Sequence, residues 1–143
     1  MKKDLKIFIA DSDDYSTFVY KQLLLELGHK DVYTFDDSAS CINSLVLMPD
    51  VIFLDYSIEN NSGLEVLKQI KNIKPEIHVV VFSQIDEMNT AVNALKHGAY
   101  DLILKGDIEE EHIKMVLENI ALLNREMTRK GRGVLQKVAS LFW

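Results

Sequence analysis

The sequence predicts an α/β fold: a doubly wound sheet of five parallel strands in the order 2-1-3-4-5, with five helices on its two faces. Short apolar runs rich in β-branched and aromatic residues alternate with longer segments of helical period. The apolar runs contain few polar residues, as is typical of strands buried on both faces. Strict alternation of this kind favours parallel strands joined by right-handed helical crossovers.

The predicted strands are runs of four to six residues, the usual length of buried strands and too short for most helices. Each run is followed by a segment of helical period, so each of the first four strands is expected to lead through a helix into the next. In chain order the strands are residues 7–10, 32–35, 51–54, 77–82 and 100–104.

The helices are predicted from apolar residues at i, i+3, i+4 and i+7, most clearly in residues 88–95 and 113–120 and more weakly in 39–46. Gly28 and Gly98 follow two helical segments, at positions where C-caps are expected. The predicted N-caps are Asp37 or Ser38, Ser62 and Asp86.

Length and composition exclude several classes of protein. The chain has 143 residues, 48% hydrophobic and 27% charged, which suits one globular domain and excludes a disordered chain. No apolar run approaches the roughly 18 residues that a membrane span needs. Cys41 is the only cysteine, which excludes a disulfide framework and favours a reducing compartment, so we expect a cytoplasmic protein.

The charge of the chain is unevenly distributed. The net charge of −6 argues against a domain that binds nucleic acid. Residues 125–143 contain five basic residues against the single acid Glu126, a net charge of +4, which leaves −10 for residues 1–124. The sequence therefore predicts an acidic body followed by a short basic segment.

Polar residues stand where the predicted strands end. Asp11 follows the first strand, Asp55 the third, Ser83 the fourth and Lys105 the fifth. In an open parallel sheet the functional crevice lies at the carboxyl ends of the strands, so the order 2-1-3-4-5 places these four residues around one rim. Converging carboxylates favour a hard divalent cation such as Mg²⁺, and a lysine can pair with a phosphoryl group.

Several of these residues also have an ordinary structural interpretation. Asp13 can act simply as the cap of the first helix, Ser83 as a loop residue and Lys105 as a surface lysine. Asp55 is harder to explain in this way, because it ends an apolar run where an unpartnered charge is costly. The hypothesis of a site rests on the joint placement of the residues.

At these residues the chain resembles a response-regulator receiver domain, the phosphoacceptor half of bacterial two-component signalling, over roughly residues 5–125. Asp55 with Gly63 eight positions later matches the phosphoacceptor and loop glycine of the family. Ser83 and Lys105, 22 positions apart, match its switch hydroxyl and lysine, and Gly98-Ala99 also fits. The resemblance implies the flavodoxin-like fold of CheY-like domains and a single-domain response regulator, with residues 1–125 as the receiver.

The resemblance implies a role for each of these residues. Asp55 would accept a phosphoryl group from a histidine kinase or phosphotransfer protein, with Ser83 turning toward the phosphoryl oxygens and Lys105 pairing with them. The implied Mg²⁺ ligands are Asp11, Asp55 and the backbone carbonyl of Ser57, with Asp13 as a weaker candidate. The phosphorylated domain would signal by contact with a downstream protein.

Four positions depart from the pattern of the family. Ser12 stands at a direct metal-ligand position where the family has an acid, which predicts weakened Mg²⁺ binding. Gln84 replaces a small residue and would narrow access to Asp55. Leu102 occupies the aromatic switch position of the last strand, with Tyr100 two residues earlier on the same expected face, and Gly106 replaces a proline.

The sequence leaves two rival functions open. A pseudo-receiver of the same fold would act as a docking module independently of phosphorylation, which Ser12 and Leu102 favour. A small enzyme such as a phosphatase would use Asp55 as its nucleophile, but it needs a substrate pocket and a second acid or base that the sequence does not reveal. We therefore expect a signalling domain and not an enzyme.

Residues 126–143 form a basic, amphipathic tail. We expect the fifth helix to start near Ile108 and Gly131 and Gly133 to interrupt it, before a short helix whose apolar face is Val134, Leu135, Val138, Leu141 and Phe142, with Trp143 at the end. This helix can fold back onto the domain, dock in a partner, pair with a second copy or, less favourably, lie on a membrane. A homodimer through the fourth and fifth helices is another alternative, and the chain can also be a piece of a longer protein.

Overall fold

A computed structural model of the chain describes residues 4–106 and 110–140, except for the side chains of Asn61, Thr128 and residues 130–140. Its five strands form one parallel sheet in the order 2-1-3-4-5, which confirms the predicted topology. The strands are β1 (Ile7–Ala10), β2 (Val32–Phe35), β3 (Val51–Asp55), β4 (His78–Ser83) and β5 (Asp101–Leu104).

Helices connect the strands and cover the sheet. The fourth predicted helix is two short segments, Met88–Ala91 and Asn93–Lys96, preceded by a 3₁₀ turn at Ile85–Glu87. The helices are α1 (Asp14–Glu26), α2 (Ser38–Asn43), α3 (Gly63–Ile73), α4 (Met88–Ala91), α5 (Asn93–Lys96) and α6 (Glu110–Ser140), with a 3₁₀ turn at Leu45–Leu47 and a short turn at Ile58–Asn61. Within the described ranges, no helix is both long and apolar enough to cross a bilayer.

The alternation of side chains along each strand divides the core between the two faces of the sheet. On one face, α1 and α6 pack against Ile7, Phe53 and Phe82. On the other face, α2, α3, α4 and α5 cover Phe8, Leu54 and Val81 and include the buried thiol of Cys41. Burial on both faces explains why the strands are nearly continuous apolar runs.

The helix ends agree with most of the predicted caps. The Asp37 carboxylate caps α2 by accepting the amide of Ser40 at 2.6 Å. Gly28 and Gly98 have φ values of 95° and 99° just after helices, the left-handed conformation that glycine adopts without strain. Asp86 was a wrong choice of N-cap, because the turn after β4 begins at Gln84, which forms a capping box with Glu87.

Two predictions about the last strand and helix are also wrong. Tyr100 precedes β5, so strand alternation does not apply to it. It packs with the α1 and α6 side of the sheet, whereas Leu102 packs with the opposite side. Helix α6 runs unbroken through Gly131 and Gly133 to Ser140, since an interior glycine costs a helix only about 1 kcal/mol. The predicted start at Ile108 and the expected positions of Leu141, Phe142 and Trp143 lie outside the described residues.

Candidate functional site

The carboxyl ends of four strands bring the predicted site residues together. The register pairs Ala10 with Leu54 and Ser83 with Leu104, so the residues after β1 and β5 come level with the ends of β3 and β4. Asp11, Asp55 and Ser83 are all buried, at 2%, 4% and 0% exposure. This edge of the sheet therefore differs from the apolar interior, because it contains three buried polar residues.

Lys105 joins the two carboxylates. Its Nζ lies 3.0 Å from Oδ2 of Asp11 and 3.4 Å from Oδ1 of Asp55, and its backbone amide donates to the Ser83 carbonyl at 2.8 Å. Burial opposes the charge of Lys105, but the two carboxylates outweigh that effect and raise its pKa above the ordinary value. The lysine is therefore firmly cationic and is not the ordinary surface lysine of the alternative interpretation.

The electrostatics of Asp55 are those of a reactive carboxylate. Burial, and after it the charge of Asp11, raise the pKa of Asp55 to about 6, against the opposing effect of Lys105. At neutral pH the group is still mostly ionised and poorly solvated. A desolvated carboxylate beside a cation has the character of a nucleophile that accepts an electrophilic group.

The oxygen atoms of the site fit a hard cation. Oδ2 of Asp11 is buried and accepts no hydrogen bond from the described residues, with the Lys105 ammonium as its charged neighbour. Asp55 and the backbone carbonyl of Ser57 are the other candidate ligands. No cluster of three or more His, Cys, Asp or Glu side chains able to hold a metal occurs in the described part of the chain. Two carboxylates and a carbonyl suit Mg²⁺, which retains several waters.

The chain after Asp55 is shaped by a close backbone contact. The Ser57 amide donates to Oδ1 of Asp55 at 3.1 Å, which orients the carboxylate. A Cβ at Gly63 would lie 2.5 Å from the Tyr56 carbonyl oxygen, so only glycine fits where α3 begins. The loop glycine eight residues after Asp55 thus has a steric reason in this fold.

Ser83 is turned onto its own backbone. Its hydroxyl donates to the Gln84 carbonyl at 2.9 Å. The side chain of Gln84 is exposed and takes part in the capping box of the following turn. The Gln84 side chain thus serves the turn, and the narrowing of access to Asp55 stays a prediction.

Asp13, two residues after Asp11, is engaged at the start of α1. Ser12 is exposed, and Asp13 caps α1 by accepting the Tyr15 amide at 3.2 Å and the Ser16 hydroxyl at 2.8 Å. Those hydrogen bonds, the Ser16 hydroxyl first, hold the pKa of Asp13 below its ordinary value. The structure assigns Asp13 to its own helix, in agreement with the capping interpretation.

Three residues near the site were not predicted. Glu87 accepts hydrogen bonds from Ser57 and Gln84, and Glu59 accepts the Ser38 amide at 3.0 Å at the start of α2. The Tyr20 ring stacks on Phe82 at 4.4 Å, and burial with the charges of Asp11 and Asp55 raises its pKa. Sequence periodicity does not predict the contacts of Glu87 with Ser57, of Glu59 with Ser38 or of Tyr20 with Phe82, because each joins segments that are distant along the chain.

Comparison with known sequences identifies the family. The sequence model described as "Response regulator receiver domain" matches residues 7–118. The chain is 30% identical to the DNA-binding transcriptional regulator NtrC of Escherichia coli K12 over 106 residues and 28% identical to the regulatory protein LuxO of Vibrio vulnificus YJ016 over 102 residues. These alignments cover 73% and 71% of this chain but 22% of each relative, so the chain spans about a fifth of their length.

Solved structures agree with this result. The receiver domain of NtrX from Brucella abortus superposes with a TM-score of 0.73 at 28% identity, covering 80% of this chain and 97% of that domain. A response regulator receiver domain from Clostridium thermocellum, at 21% identity, shares the fold with a TM-score of 0.78 over 86% of this chain and 98% of that one. With the sheet order, the buried acids and the lysine at one rim, these matches show that the chain belongs to the family of response regulator receiver domains.

Proposed function

We propose that this chain is a phosphoacceptor, phosphorylated on Asp55 by a histidine kinase or phosphotransfer protein. The observation that carries the proposal is the buried Asp55 carboxylate, held 3.4 Å from the Lys105 ammonium at the carboxyl end of the sheet. The relatives NtrC and LuxO are regulators, and the family is that of response regulator receivers, which supports a signalling role.

The proposed reaction uses the residues in distinct roles. An Asp55 oxygen attacks the phosphorus of the donor, the bond from phosphorus to the donor breaks, and an acyl phosphate forms on Asp55. Lys105 pairs with the oxygens of the transferred group, and the Ser57 amide holds the carboxylate in orientation. When bound, Mg²⁺ would neutralise charge on the phosphoryl oxygens, held by Asp11, Asp55 and the Ser57 carbonyl.

The signal would then pass through protein contact. The phosphoryl group carries a charge of about −1.5 to −2 at this rim, in place of the single negative charge of the Asp55 carboxylate, which favours rotation of the Ser83 hydroxyl toward it and a shift of α4 and α5. Such a change biases an existing two-state equilibrium without a new fold. We propose further that the chain is cytoplasmic, turns over no external substrate, and signals to a downstream protein.

One experiment tests the phosphoacceptor function directly. The protein is treated with acetyl phosphate and Mg²⁺ and measured by intact mass beside Asp55→Ala. One added phosphoryl group in the parent and none in Asp55→Ala is the expected result. No adduct in the parent would contradict the proposal and leave a docking module, whereas an equal adduct in Asp55→Ala would place the acceptor elsewhere. Steady hydrolysis of a phosphoester would indicate an enzyme.

A further inference from the structure

Glu87 links the loop that follows Asp55 to the loop that follows Ser83. One carboxylate oxygen, Oε2, accepts the hydroxyl of Ser57, and the other, Oε1, accepts the Gln84 amide at 3.4 Å. Glu87 is therefore hydrogen-bonded to both walls of the site through a single side chain. Both of its hydrogen bonds are charge-assisted, which makes them stronger than bonds between neutral groups.

The two linked loops carry the groups that must rearrange. The backbone amide of Ser57 donates to Oδ1 of Asp55, and its hydroxyl donates to Glu87. Ser57 therefore contacts both Glu87 and the phosphoacceptor. On the other side, the hydroxyl of Ser83 donates to the Gln84 carbonyl and is not available to a group on Asp55. For Ser83 to turn toward Asp55, it must leave the Gln84 carbonyl, which belongs to the turn that Glu87 holds.

The charge of Glu87, like its hydrogen bonds, favours the unphosphorylated arrangement. A phosphoryl group on Asp55 brings negative charge to the loop whose Ser57 hydroxyl donates to the Glu87 carboxylate. Like charges repel, and at a half-buried position the repulsion is less screened than on the open surface. The hydrogen bond and the charge therefore both favour the unphosphorylated arrangement.

We propose that Glu87 is a positioning residue that latches the Asp55 loop to the Ser83 loop in the unphosphorylated state and is released by the phosphoryl group. This inference rests on the proposed phosphoacceptor function and specifies how the site is held before the reaction. The Ser57 hydroxyl is the other half of the latch, a role separate from that of its backbone carbonyl.

The test is a double-mutant cycle with a matched control. Ser57→Ala removes the hydroxyl and retains the backbone and the charge of Glu87, whereas Glu87→Ala removes both the acceptor and the charge. Asp86→Ala removes one negative charge from the same turn and serves as the control. Adduct formation with acetyl phosphate and Mg²⁺ is followed by intact mass, and amide exchange of residues 84–91 is measured without phosphodonor.

The latch predicts a rate increase in each single variant of roughly threefold to tenfold, the range for one partly exposed hydrogen bond. The double variant should be no faster than Glu87→Ala, because both changes break the same contact. Exchange in residues 84–91 should rise in both single variants and stay at the parent level in Asp86→Ala.

Other results overturn the latch. A parent rate in Ser57→Ala with a faster Glu87→Ala would show an effect of charge alone, and slower reaction in both would show that the contact assists the chemistry. If the parent itself forms no adduct, the proposed function fails. Amide exchange of residues 84–91 then tests by itself whether Glu87 links the two loops. Faster exchange in both single variants then supports the link between the loops, and unchanged exchange overturns it.

Discussion

The ammonium nitrogen of Lys105 lies 3.4 Å from Oδ1 of Asp55, in a site where the lysine side chain is 12% and the aspartate side chain 5% exposed. Burial makes this pair different from a surface salt bridge, because neither charge is well solvated by water. The lysine is the counter-ion of the Asp55 carboxylate, and it opposes the effect of burial, which favours the protonated form. Its loss should affect stability as well as reactivity.

Lys105→Met is expected to destabilise the protein by about 3 kcal/mol at pH 7, because it leaves Asp11 and Asp55 buried without a cation. The free energy of unfolding from urea denaturation measures this change. Lys68→Met is the matched control, since Lys68 pairs with Glu65 on the surface, at 3.5 Å, and should change stability by no more than about 0.5 kcal/mol. Equal effects of the two substitutions would contradict the structural role of Lys105.

The contribution of Asp55 to stability should fall as the pH rises from about 4 to about 6 in the absence of Mg²⁺. The folded protein raises the pKa of Asp55 to about 6, so in this window it binds more protons at this site than the unfolded chain. By the linkage relation, this contribution to the free energy of unfolding decreases with rising pH. The stabilising effect of protonated Asp55 is fully present only below the ordinary pKa of an aspartate.

Asp55→Asn should remove this contribution. The variant is expected to be more stable than the parent at pH 7, by at most about 3 kcal/mol, and equal to it near pH 4. Urea denaturation at both pH values, with EDTA present, measures the difference. A variant that is less stable than the parent at pH 7 would show that the Asp55 charge is net stabilising.

Gly63→Ala should destabilise the loop after Asp55. The new methyl group would lie 2.5 Å from the Tyr56 carbonyl oxygen, and the backbone must move to accept it. We expect a loss of about 1–3 kcal/mol, as for other overpacked sites, with slower phosphorylation because Ser57 is displaced. Gly106→Ala is the control, since no atom lies within 4 Å of its Cβ, and it should leave thermal stability nearly unchanged.

Mg²⁺ affinity should depend on Asp11 and not on Asp13. Asp11 is buried, and among the described residues its Oδ2 is paired with the Lys105 ammonium alone, whereas Asp13 is engaged as the cap of α1. Asp11→Asn should weaken binding at least tenfold in calorimetric titration. Asp13→Asn should leave affinity near the parent value and change stability by less than about 1 kcal/mol, because asparagine is also a good cap. Loss of affinity in Asp13→Asn would assign that carboxylate to the metal.

Ser83→Ala should separate phosphorylation from the response to it. The buried hydroxyl donates only to the Gln84 carbonyl among the described contacts, and the Asp55 nucleophile does not need it. The adduct should still form, while the phosphorylation-dependent change in amide exchange over residues 88–96 is lost. A full exchange response in Ser83→Ala would remove the switch role from this residue.

Local patterns in the sequence were sufficient for the architecture and for the main site residues. Apolar runs buried on both faces specify parallel strands, and in this topology whatever follows those strands must meet at one edge. Asp11, Asp55, Ser83 and Lys105 could be identified for this reason. Resemblance to the family supplied their roles, and the steric need for Gly63 agrees with that resemblance.

Tertiary packing decided the rest, because it brings together groups that no local period relates. The face occupied by Tyr100 depends on where β5 begins, and the continuity of α6 through Gly131 shows that a residue's helix propensity is only a weak local preference. The contact of Glu87 with Ser57 across 30 residues follows from where loops at neighbouring strand ends meet. By itself the sequence determined which residues reach the rim of the sheet. Only the folded structure decided which of them touch, since hydrogen bonds and ion pairs depend on distances set by the whole chain.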